Sequence, residues 1–363
     1  MTVINKIEFI IDHIDPLGQG VYKDGDDIFF IPKTLPGESG TAIIRKRRKG
    51  VHFCELIELK TRSPKRIESP CPHYDYCNGC HFLHTDYNSE VEFKLKSFQH
   101  MLKYIGFTNT IEEIRSTERL GYRNRIQLHY HKNAGVLGFK DSRSNKINSV
   151  PDCKISKPSI QVKVNDLYRG NSWIESANKA QGHVEIYDSP SGLKTTWNDQ
   201  YAAGGFTQVN FEMNERMKER LNSFFKLIKP KRVLDLFGGA GNLSESFQGN
   251  RLVVDIYKGN LENEFKSLNL HEPEALIEYN KNEYPSFDTV IIDPPRAGFP
   301  LMNSWMESVK PQNICYISCH PQTMMRDIKN LIDSGAYRIK NVVLLDLFPS
   351  TFHFEALITL ERH

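Results

Sequence analysis

No hydrophobic run in this sequence is long enough to cross a membrane. Its 363 residues include no apolar stretch near the ~20 residues that a membrane-spanning helix needs. Residues 1–6 also lack the apolar core of a signal peptide. We therefore expect a cytoplasmic protein with no membrane partner. The net charge is only +3, so nucleic-acid binding has to be argued from local clusters of basic residues.

The sequence also lacks the even set of cysteines that a disulfide framework needs. It has seven cysteines, and in a cytoplasmic protein an odd number favours metal binding or catalysis over disulfides. Composition is otherwise ordinary for a globular protein, and the length suggests two or three domains. The cysteines are Cys54, Cys71, Cys77, Cys80, Cys153, Cys315 and Cys319.

The last cysteine follows a short apolar run near the C-terminus. Residues 314–317 predict a buried strand, and Pro321 directs the backbone before it away from the helical region. Cys319 is therefore predicted to lie where a strand meets a loop. Residues 290–292 form a similar apolar strand that ends in Asp293 and two prolines. Because neighbouring parallel strands end at one edge of a sheet, where ligands bind, Asp293 and Cys319 should face the same crevice.

A second acid, Glu355, lies 36 residues beyond Cys319. A thiol with a nearby group that accepts a proton is an arrangement used in covalent catalysis. The alternative is that Cys319 is a small core residue, because free cysteines are often buried. The rest of the chain favours the catalytic interpretation.

Residues 1–62 are predicted to form a small β-barrel that contacts RNA. Residues 45–49 place five consecutive basic side chains in a predicted hairpin loop. OB-like barrels bind oligonucleotides through their loops and faces, although a charge run can also be an ordinary solvated surface. The predicted strands, separated by glycine- and proline-containing turns, cover residues 6–10, 27–32, 40–45 and 54–59.

A second motif with chemical potential is a group of three closely spaced cysteines. The pair Cys77 and Cys80 can hold one metal ion or cluster, Cys71 lies six positions earlier, and Cys153 is the natural fourth thiolate. Four thiolates suit either Zn²⁺ or an iron–sulfur cluster, and the spacing leaves both open. Three histidines of the same segment could replace one thiolate: His73, His81 and His84.

Residues 63–200 are predicted to form a central β-rich domain around this metal site. Residues 86–106 read as an amphipathic helix that could pack on the C-terminal domain, and residues 126–200 follow a β-type pattern. Residues 121–130 alternate basic and apolar side chains. They form a candidate second RNA surface, with a solvated β face as an equal alternative. The basic residues that would join them are Lys140, Arg143 and Lys146.

Residues 201–363 show the pattern of an α/β domain. A helix through residues 217–225 precedes a strand at 232–236, a glycine-rich turn and a predicted helix start near residue 243. Glycines let the backbone approach a ligand. A second strand ends in Asp255, and a carboxylate at that place can bind both hydroxyls of a ribose. The spacing does not fit Gly-x-Gly-x-x-Gly, which disfavours NAD.

The order of these motifs looks like that of a class I methyltransferase that binds S-adenosylmethionine. With Asp293 and Cys319 in their proline-containing loops, the chain resembles the RNA uracil-5 methyltransferases, in particular the iron–sulfur branch that acts on 23S rRNA. Its N-terminal part resembles a TRAM domain, a small RNA-binding barrel, on the strength of residues 15–21, 30–32 and 35–38.

The resemblance implies an architecture, a reaction and a set of site residues. The fold would be a Rossmann-like α/β methyltransferase domain (201–363) behind a TRAM barrel (1–62) and an iron–sulfur domain (63–200). The monomer would methylate C5 of a uridine in 23S rRNA, with Cys319 as nucleophile and Glu355 as base. A [4Fe–4S] cluster would be held by Cys71, Cys77, Cys80 and Cys153. S-adenosylmethionine would be bound by Gln208, Phe237, Gly239, Gly241, Asn242, Asp255 and Asp293.

Two departures from the family pattern affect the site. The stretch from Asp255 to Asp293 is short, so one helix of the sheet should be reduced, and the adenine-contacting acid of the family can be placed only loosely, at Glu278. His320 stands where the family has Asn or Asp, which leaves the thiol in place but alters its surroundings.

The implied chemistry needs one thiolate, one base and one methyl donor. A free cysteine has a pKa of ~8.5, so we expect Arg296 or backbone amides of the Cys319 loop to stabilise the thiolate. The target uridine must be unstacked to be reached. Three alternatives stay open: a tRNA uridine as substrate, an exocyclic amine methylated through the Asp293 loop, and a non-catalytic RNA-binding iron–sulfur protein.

Overall fold

The computed structural model describes residues 6–141, 144–189, 191–200, 207–257, 265–282 and 284–363. The expectations for residues 1–5 and for Arg143 lie outside these ranges. The strands are β1 (Lys6–Ile10), β2 (His13–Ile14), β3 (Gln19–Asp24), β4 (Asp27–Pro32), β5 (Ser39–Arg48), β6 (Val51–Thr61), β7 (Glu112–Ile114), β8 (Arg125–His131), β9 (Val136–Lys140), β10 (Ile147–Asn148), β11 (Gln181–Ser189), β12 (Gly192–Trp197), β13 (Arg232–Leu236), β14 (Asn250–Asp255), β15 (Phe265–Ser267), β16 (Thr289–Ile292), β17 (Asn313–Ser318), β18 (Tyr337–Leu345) and β19 (Glu355–Arg362).

The helices are fewer and lie mainly in the C-terminal half. They are α1 (Tyr87–Leu102), α2 (Pro158–Tyr168), α3 (Trp173–Ser176), α4 (Phe211–Ile228), α5 (Pro273–Lys281), α6 (Met302–Val309) and α7 (Pro321–Asp333), with 3₁₀ turns at Lys103–Ile105 and Arg169–Asn171. Within the described ranges, no helix has the length and apolar character needed to span a membrane.

The chain divides into two compact units. The first contains Met1–Ser97, Thr117–Gln200 and Phe348–His353, and the second contains Phe98–Ser116, Tyr201–Leu347 and Phe354–His363. Helix α1 therefore contributes to both units, and the predicted helix at 86–106 is confirmed as α1 followed by a 3₁₀ turn.

The first unit begins with a six-stranded sheet of order β1-β5-β6-β4-β3-β2. Alternating residues of these strands form a small core that includes Phe9, Ile31, Ala42 and Cys54, as expected for strands with one buried face. The strands predicted at 6–10 and 27–32 are confirmed, and those at 40–45 and 54–59 lie inside β5 and β6.

The basic run at residues 45–49 is not a loop, which corrects the prediction. Its first four residues continue strand β5, and only Lys49 lies in the two-residue turn before β6. All five are exposed, because the β5–β6 hairpin extends beyond the small core. The Nε atom of Arg45 lies 2.6 Å from Oε2 of Glu55 on the paired strand.

The first unit continues with a five-stranded sheet of order β10-β9-β8-β11-β12. One face of this sheet packs on helices α2 and α3 in a core that includes Leu128, Tyr130, Val164 and Trp173. The sequence pattern predicted only β structure between residues 126 and 200, so these helices correct it. The buried residues of α2, Ile160, Val164 and Leu167, do have the helical spacing i, i+4, i+7.

The candidate RNA surface at residues 121–130 is also corrected. Arg125 is only 8% exposed, and its Nη1 atom lies 2.7 Å from Oε1 of the buried Glu185. Arg123 lines the cavity described below. Arg125 therefore pairs with Glu185 inside the first unit, because a buried charge requires a partner, and Arg123 faces a cavity of that unit. Lys140 and Lys146 are exposed.

The second unit contains an eight-stranded sheet of order β15-β14-β13-β16-β17-β19-β18-β7. The strands from β15 to β17 are parallel, whereas β19 runs antiparallel to both of its neighbours. Central strands such as β16 are buried along their whole length, which is typical of parallel sheets covered on both faces. The predicted α/β class is confirmed.

The connection from β13 to β14 differs from the predicted one. A helix was expected to start near residue 243, but residues 239–246 form successive turns instead. Between the short strand β15 and β16 lies the nine-residue helix α5. The carboxyl ends of β13, β14, β16 and β17 share one edge of the sheet, and the antiparallel strand β19 begins at that edge.

Candidate active site

Cys319 and Glu355 meet at this edge of the second unit. Strand β17 ends at Ser318, which pairs with Ala356 of the antiparallel β19. Cys319 therefore follows β17 directly opposite Glu355, the first residue of β19. Cys319 is half-buried, and Glu355 is only 3% exposed. The prediction that Cys319 lies where a strand meets a loop is confirmed.

The loop that follows the neighbouring strand β16 places a carboxyl group and a guanidinium group near Cys319. Asp293 comes directly after Ile292, and its N–H donates to the carbonyl of Leu236 across the sheet. The guanidinium of Arg296 lies beside the Cys319 thiol, and Asp293 also acts on that thiol electrostatically. Two carboxyl groups, one thiol and one guanidinium thus share this part of the edge.

The thiol of Cys319 is protonated at neutral pH in this environment. Its pKa is raised to about 11, mainly by burial and then by the charge of Glu355 and more weakly of Asp293, whereas Arg296 acts in the opposite direction. Arg296 acts to lower the pKa of the thiol, as expected, but burial raises that pKa by more. The expected help from Arg296 therefore has the predicted direction, and stabilisation of the thiolate by Arg296 or by backbone amides of the loop stays a prediction.

The pKa of Glu355 is raised for similar reasons. Burial, with the nearby charge of Asp293 as a second cause, raises its pKa well above the ordinary value, while Arg296 opposes the rise. Its Oε2 atom has no hydrogen-bond partner among the residues that the structure describes. A buried carboxyl oxygen without a partner is costly, and it is available to a ligand at this edge.

The glycine-rich turn after β13 lies next to the end of β14. The N–H of Gly239 donates to Oδ2 of Asp255 over 2.9 Å, and the N–H of Tyr257 donates to Oδ1. A Cβ atom on Gly238 would lie 2.6 Å from Cγ of Asp235 and 2.7 Å from Cγ1 of Val253, so no larger residue fits there. Asp255 thus fixes the turn while its carboxylate stays at the strand end.

Asp235 is a charged residue of this site that the sequence analysis did not include among the site residues. Burial raises its pKa to about 7, and the hydroxyl of Ser244 donates to its Oδ2 atom over 2.5 Å. Burial, then the charges of Asp235 and Asp255, raise the pKa of Asp293. The signal in the sequence was an acid inside an otherwise apolar strand. Three neighbouring carboxyl groups favour a cationic ligand.

Three more predicted cofactor residues lie near helix α4 or in the turn after β13. The side chains of Asn242 and of Asn214 on α4 exchange hydrogen bonds of 3.1 and 2.9 Å. Gln208 is buried two residues before Asn210, whose side chain caps α4. The ring of Phe237, a residue with φ of 61°, packs edge-on against Phe299. These contacts join α4, the glycine turn and the loop after β16.

Glu278 lies on helix α5, and His320 lies at the start of helix α7. Glu278 lies on α5, where its carboxylate is 3.0 Å from Lys266 and 3.7 Å from Lys281. His320 occupies the N-cap position of α7 without capping it through its side chain. Asn or Asp can accept an N–H at such a position, so the departure at residue 320 removes a helix cap and leaves Cys319 in place.

The four cysteines of the predicted metal site lie together in the first unit. Cys71, Cys77, Cys80 and Cys153 all line one cavity of about 180 Å³, and Cys80 interacts electrostatically with each of the other three. In the part of the chain that the structure covers, no three His, Cys, Asp or Glu side chains are arranged to bind a single metal ion. Two cysteines outside this group, Cys54 and Cys315, are buried in strand cores.

The reactivity of Cys319 should depend steeply on pH. Because its pKa is raised to about 11 and the thiolate is the nucleophile, alkylation by iodoacetamide should accelerate about tenfold per pH unit up to that range. Mass spectrometry of the Cys319 peptide between pH 7 and pH 10.5 measures this rate. A plateau below pH 9 would contradict the assigned surroundings of the thiol.

Comparison with known proteins gives a consistent result for the C-terminal region and for the whole chain. Residues 270–363 match the family model described as tRNA (Uracil-5-)-methyltransferase. The 23S rRNA (uracil(1939)-C(5))-methyltransferase RlmD of Shewanella frigidimarina is 26% identical over 437 residues, covering 98% of this chain and 96% of the relative. RlmD of Erwinia tasmaniensis is 27% identical over 432 residues, covering 100% and 98%.

A solved structure is similar over nearly the full length. It is the tRNA (uracil-54, C5)-methyltransferase of Pyrococcus abyssi in complex with S-adenosyl-L-homocysteine, with a TM-score of 0.75 and 21% identity. The match covers 97% of this chain and 99% of that one. The shared fold is a class I methyltransferase domain together with a β-rich N-terminal part.

Proposed function

The chain belongs to the RNA uracil-5 methyltransferase family and is an S-adenosylmethionine-dependent enzyme, and on that premise we propose that it methylates C5 of a uridine in 23S rRNA. The observation that carries the proposal is the meeting of Cys319 and Glu355 at the edge where the glycine turn and Asp293 also lie. The RNA on which the two curated relatives act supports 23S rRNA over tRNA as the substrate.

The proposed reaction uses the two residues in sequence. C5 of uracil is a weak nucleophile. Cys319 loses its thiol proton to water and adds to C6 as the thiolate, which moves the C5–C6 π electrons toward the C4 carbonyl and forms an enolate. C5 of the enolate takes the methyl group from the sulfonium, whose sulfur keeps the electrons of the broken S–C bond. Glu355, as the carboxylate, then removes the C5 proton, and the electrons of that C–H bond re-form the C5–C6 double bond and expel the thiolate. The carboxyl group of Glu355 passes the proton to water, so the enzyme is regenerated.

S-adenosylmethionine supplies a methyl group on a positively charged sulfur. The residues proposed to hold it are those of the glycine turn and the strand ends around it. Asp235, Asp255 and Asp293 repel one another in the ligand-free site, and a cationic ligand would relieve that repulsion. The proposed contacts are Gln208, Phe237, Gly239, Gly241, Asn242, Asp255 and Asp293.

The proposed RNA contacts lie in the first unit. Residues 1–62 would act as a TRAM domain, with the exposed basic residues of β5 and the turn after it facing phosphates. Lys and Arg side chains that contact phosphates make binding weaken with salt. A base stacked in a helix could not reach Cys319, so we propose that the target uridine is looped out.

We propose that the four cysteines hold a [4Fe–4S] cluster. They line one cavity of about 180 Å³, and four thiolates commonly bind such a cluster. Within the first unit, the N–H groups of His81 and Phe82 both donate to the carbonyl of Ser350, so a cluster would stabilise this loop.

Replacing Cys77 with serine should remove the cluster. Purified wild-type protein should be brown, with about four irons per chain, and the variant should be pale and less stable to heat because one of four ligands is lost. Iron analysis and absorbance near 400 nm measure this. The matched control is Cys54→Ala, whose thiol lies in a separate core and whose loss should leave the colour intact. A colourless wild-type protein with one zinc would contradict the cluster.

The function is tested by methyl transfer from labelled S-adenosylmethionine to unmodified 23S rRNA and tRNA, followed by nucleoside analysis. Label in 5-methyluridine of 23S rRNA is the expected result. The same nucleoside in tRNA would move the substrate but keep the reaction, and a methylated exocyclic amine would overturn the reaction. No label and no cofactor binding, with the cluster intact, would favour a non-catalytic RNA-binding protein.

A further inference from the structure

The side chain of Asp327 is a buried carboxylate of the second unit that accepts four hydrogen bonds outside the candidate active site. It lies on α7 and is fully buried. Its Oδ2 atom accepts from the N–H of Phe299 and from the hydroxyl of Tyr316, both over 2.6 Å. Its Oδ1 atom accepts from Nε and Nη2 of Arg326, over 2.9 and 2.6 Å. Neither the reaction nor the proposed cofactor contacts give this residue a role.

The partners of Asp327 belong to the two segments that carry the reactive groups. Tyr316 lies on β17, three residues before Cys319, and Phe299 lies in the loop that begins with Asp293 and contains Arg296. Helix α7 itself starts directly after His320. The buried carboxylate of Asp327 therefore connects strand β17, helix α7 and the loop that begins with Asp293.

Further contacts hold the same loop against α7. Nη2 of Arg326 donates to the carbonyl of Ala297 over 2.9 Å, and the hydroxyl of Thr323 donates to the carbonyl of Arg296 over 3.3 Å. Gly298 has φ of 76°, and a Cβ atom there would collide with the carboxylate of Asp327. The loop is thus built to fit closely over α7, and Asp327 is the acceptor at the centre of these contacts.

We propose that Asp327 is a positioning residue that fixes the Arg296 guanidinium beside Cys319 and Glu355. Arg296 is the cation that acts to lower the pKa of both reactive groups, Cys319 and Glu355. Its own side chain is exposed. Its place therefore depends on the backbone of the loop, which Asp327 holds through Phe299. The inference rests on the proposed catalytic role of Cys319.

The test replaces Asp327 with asparagine, which keeps the shape but turns an NH₂ group toward one of the former donors. When Arg296 moves away, the Cys319 thiol loses the neighbour that lowers its pKa. Alkylation of Cys319 at pH 8 should then slow at least severalfold, and the kcat for methyl transfer should fall about 10- to 100-fold, since small displacements of catalytic groups have effects of this size. The KM for S-adenosylmethionine should change little, because Asp255 holds the glycine turn independently.

The matched control is Asp333→Asn on the same helix. Asp333 forms an exposed ion pair with Lys329, and its loss should change neither rate. If Asp327→Asn does not fold, Tyr316→Phe removes only one donor and should shift both rates less, in the same direction. A folded variant that alkylates Cys319 at the wild-type rate would overturn the proposal. Alkylation needs no RNA, so this outcome is separate from a failure of the proposed function.

Discussion

Replacing Cys319 with alanine should abolish turnover while leaving the fold and cofactor binding intact. The thiol is the group that adds to C6, and loss of a covalent nucleophile typically costs ~10⁴-fold or more in kcat. Cys319 is half-buried in a bend after β17, so truncation creates only a small cavity. Methyl transfer to 23S rRNA, with calorimetric binding of S-adenosyl-L-homocysteine in parallel, measures the two effects separately.

Two further variants make the Cys319 result specific. Cys319→Ser keeps the size of the side chain but removes the good nucleophile, so it should be as inactive as the alanine variant. Cys315→Ala removes a thiol four residues earlier, on strand β17, where the side chain is fully buried, and should retain activity. An active Cys319→Ala protein would contradict the covalent route and favour methylation of an exocyclic amine.

The strands around the site could be predicted from the sequence because each is a short apolar run that ends at a polar residue or a proline. Strands β13, β16 and β17 are of this kind, and their shared edge follows from the rule for parallel sheets. The position of Glu355 opposite Cys319 could not be predicted in this way, because it requires strand β19 to lie antiparallel between β17 and β18. Resemblance to a family gave that pairing, whereas spacing did not.

Other features could not be predicted because they depend on burial or on tertiary contacts. The arginines at 123 and 125 looked like a basic surface, but Glu185 on the paired strand gives Arg125 a buried partner. Helix α2 has only three buried apolar residues among polar ones, a signal that its β neighbours concealed. The raised pKa of Cys319 reflects burial by surrounding segments, which no local sequence pattern reports.

Replacing Glu355 with glutamine should trap the enzyme on its RNA. Addition of Cys319 to C6 and methylation of C5 do not require Glu355, whereas removal of the C5 proton does. Loss of a general base usually slows its step by about 10²- to 10⁴-fold, so the methylated adduct should accumulate. A protein–RNA band that survives denaturing electrophoresis, carries the methyl label and requires Cys319 is the expected measurement.

The same substitution has a predicted effect on stability that separates catalysis from folding. The folded-state pKa of Glu355 is raised well above the ordinary value, so the folded protein binds this proton more tightly than the unfolded chain. Its contribution to stability is complete below the unfolded pKa of ~4.3 and is lost as pH rises toward the folded pKa. Glutamine stays neutral, so the variant should gain stability relative to wild type between pH 5 and pH 8.

A matched substitution on the same strand tests whether these effects belong to the site. Glu361 lies near the other end of β19, where it pairs with Arg338 and Lys340 at the surface. Glu361→Gln should form no adduct, should turn over normally and should lose a little stability at neutral pH, opposite in sign to Glu355→Gln. If Glu355→Gln instead turns over at the wild-type rate, another group removes the C5 proton, and Asp293, whose charge acts on Glu355, is a candidate.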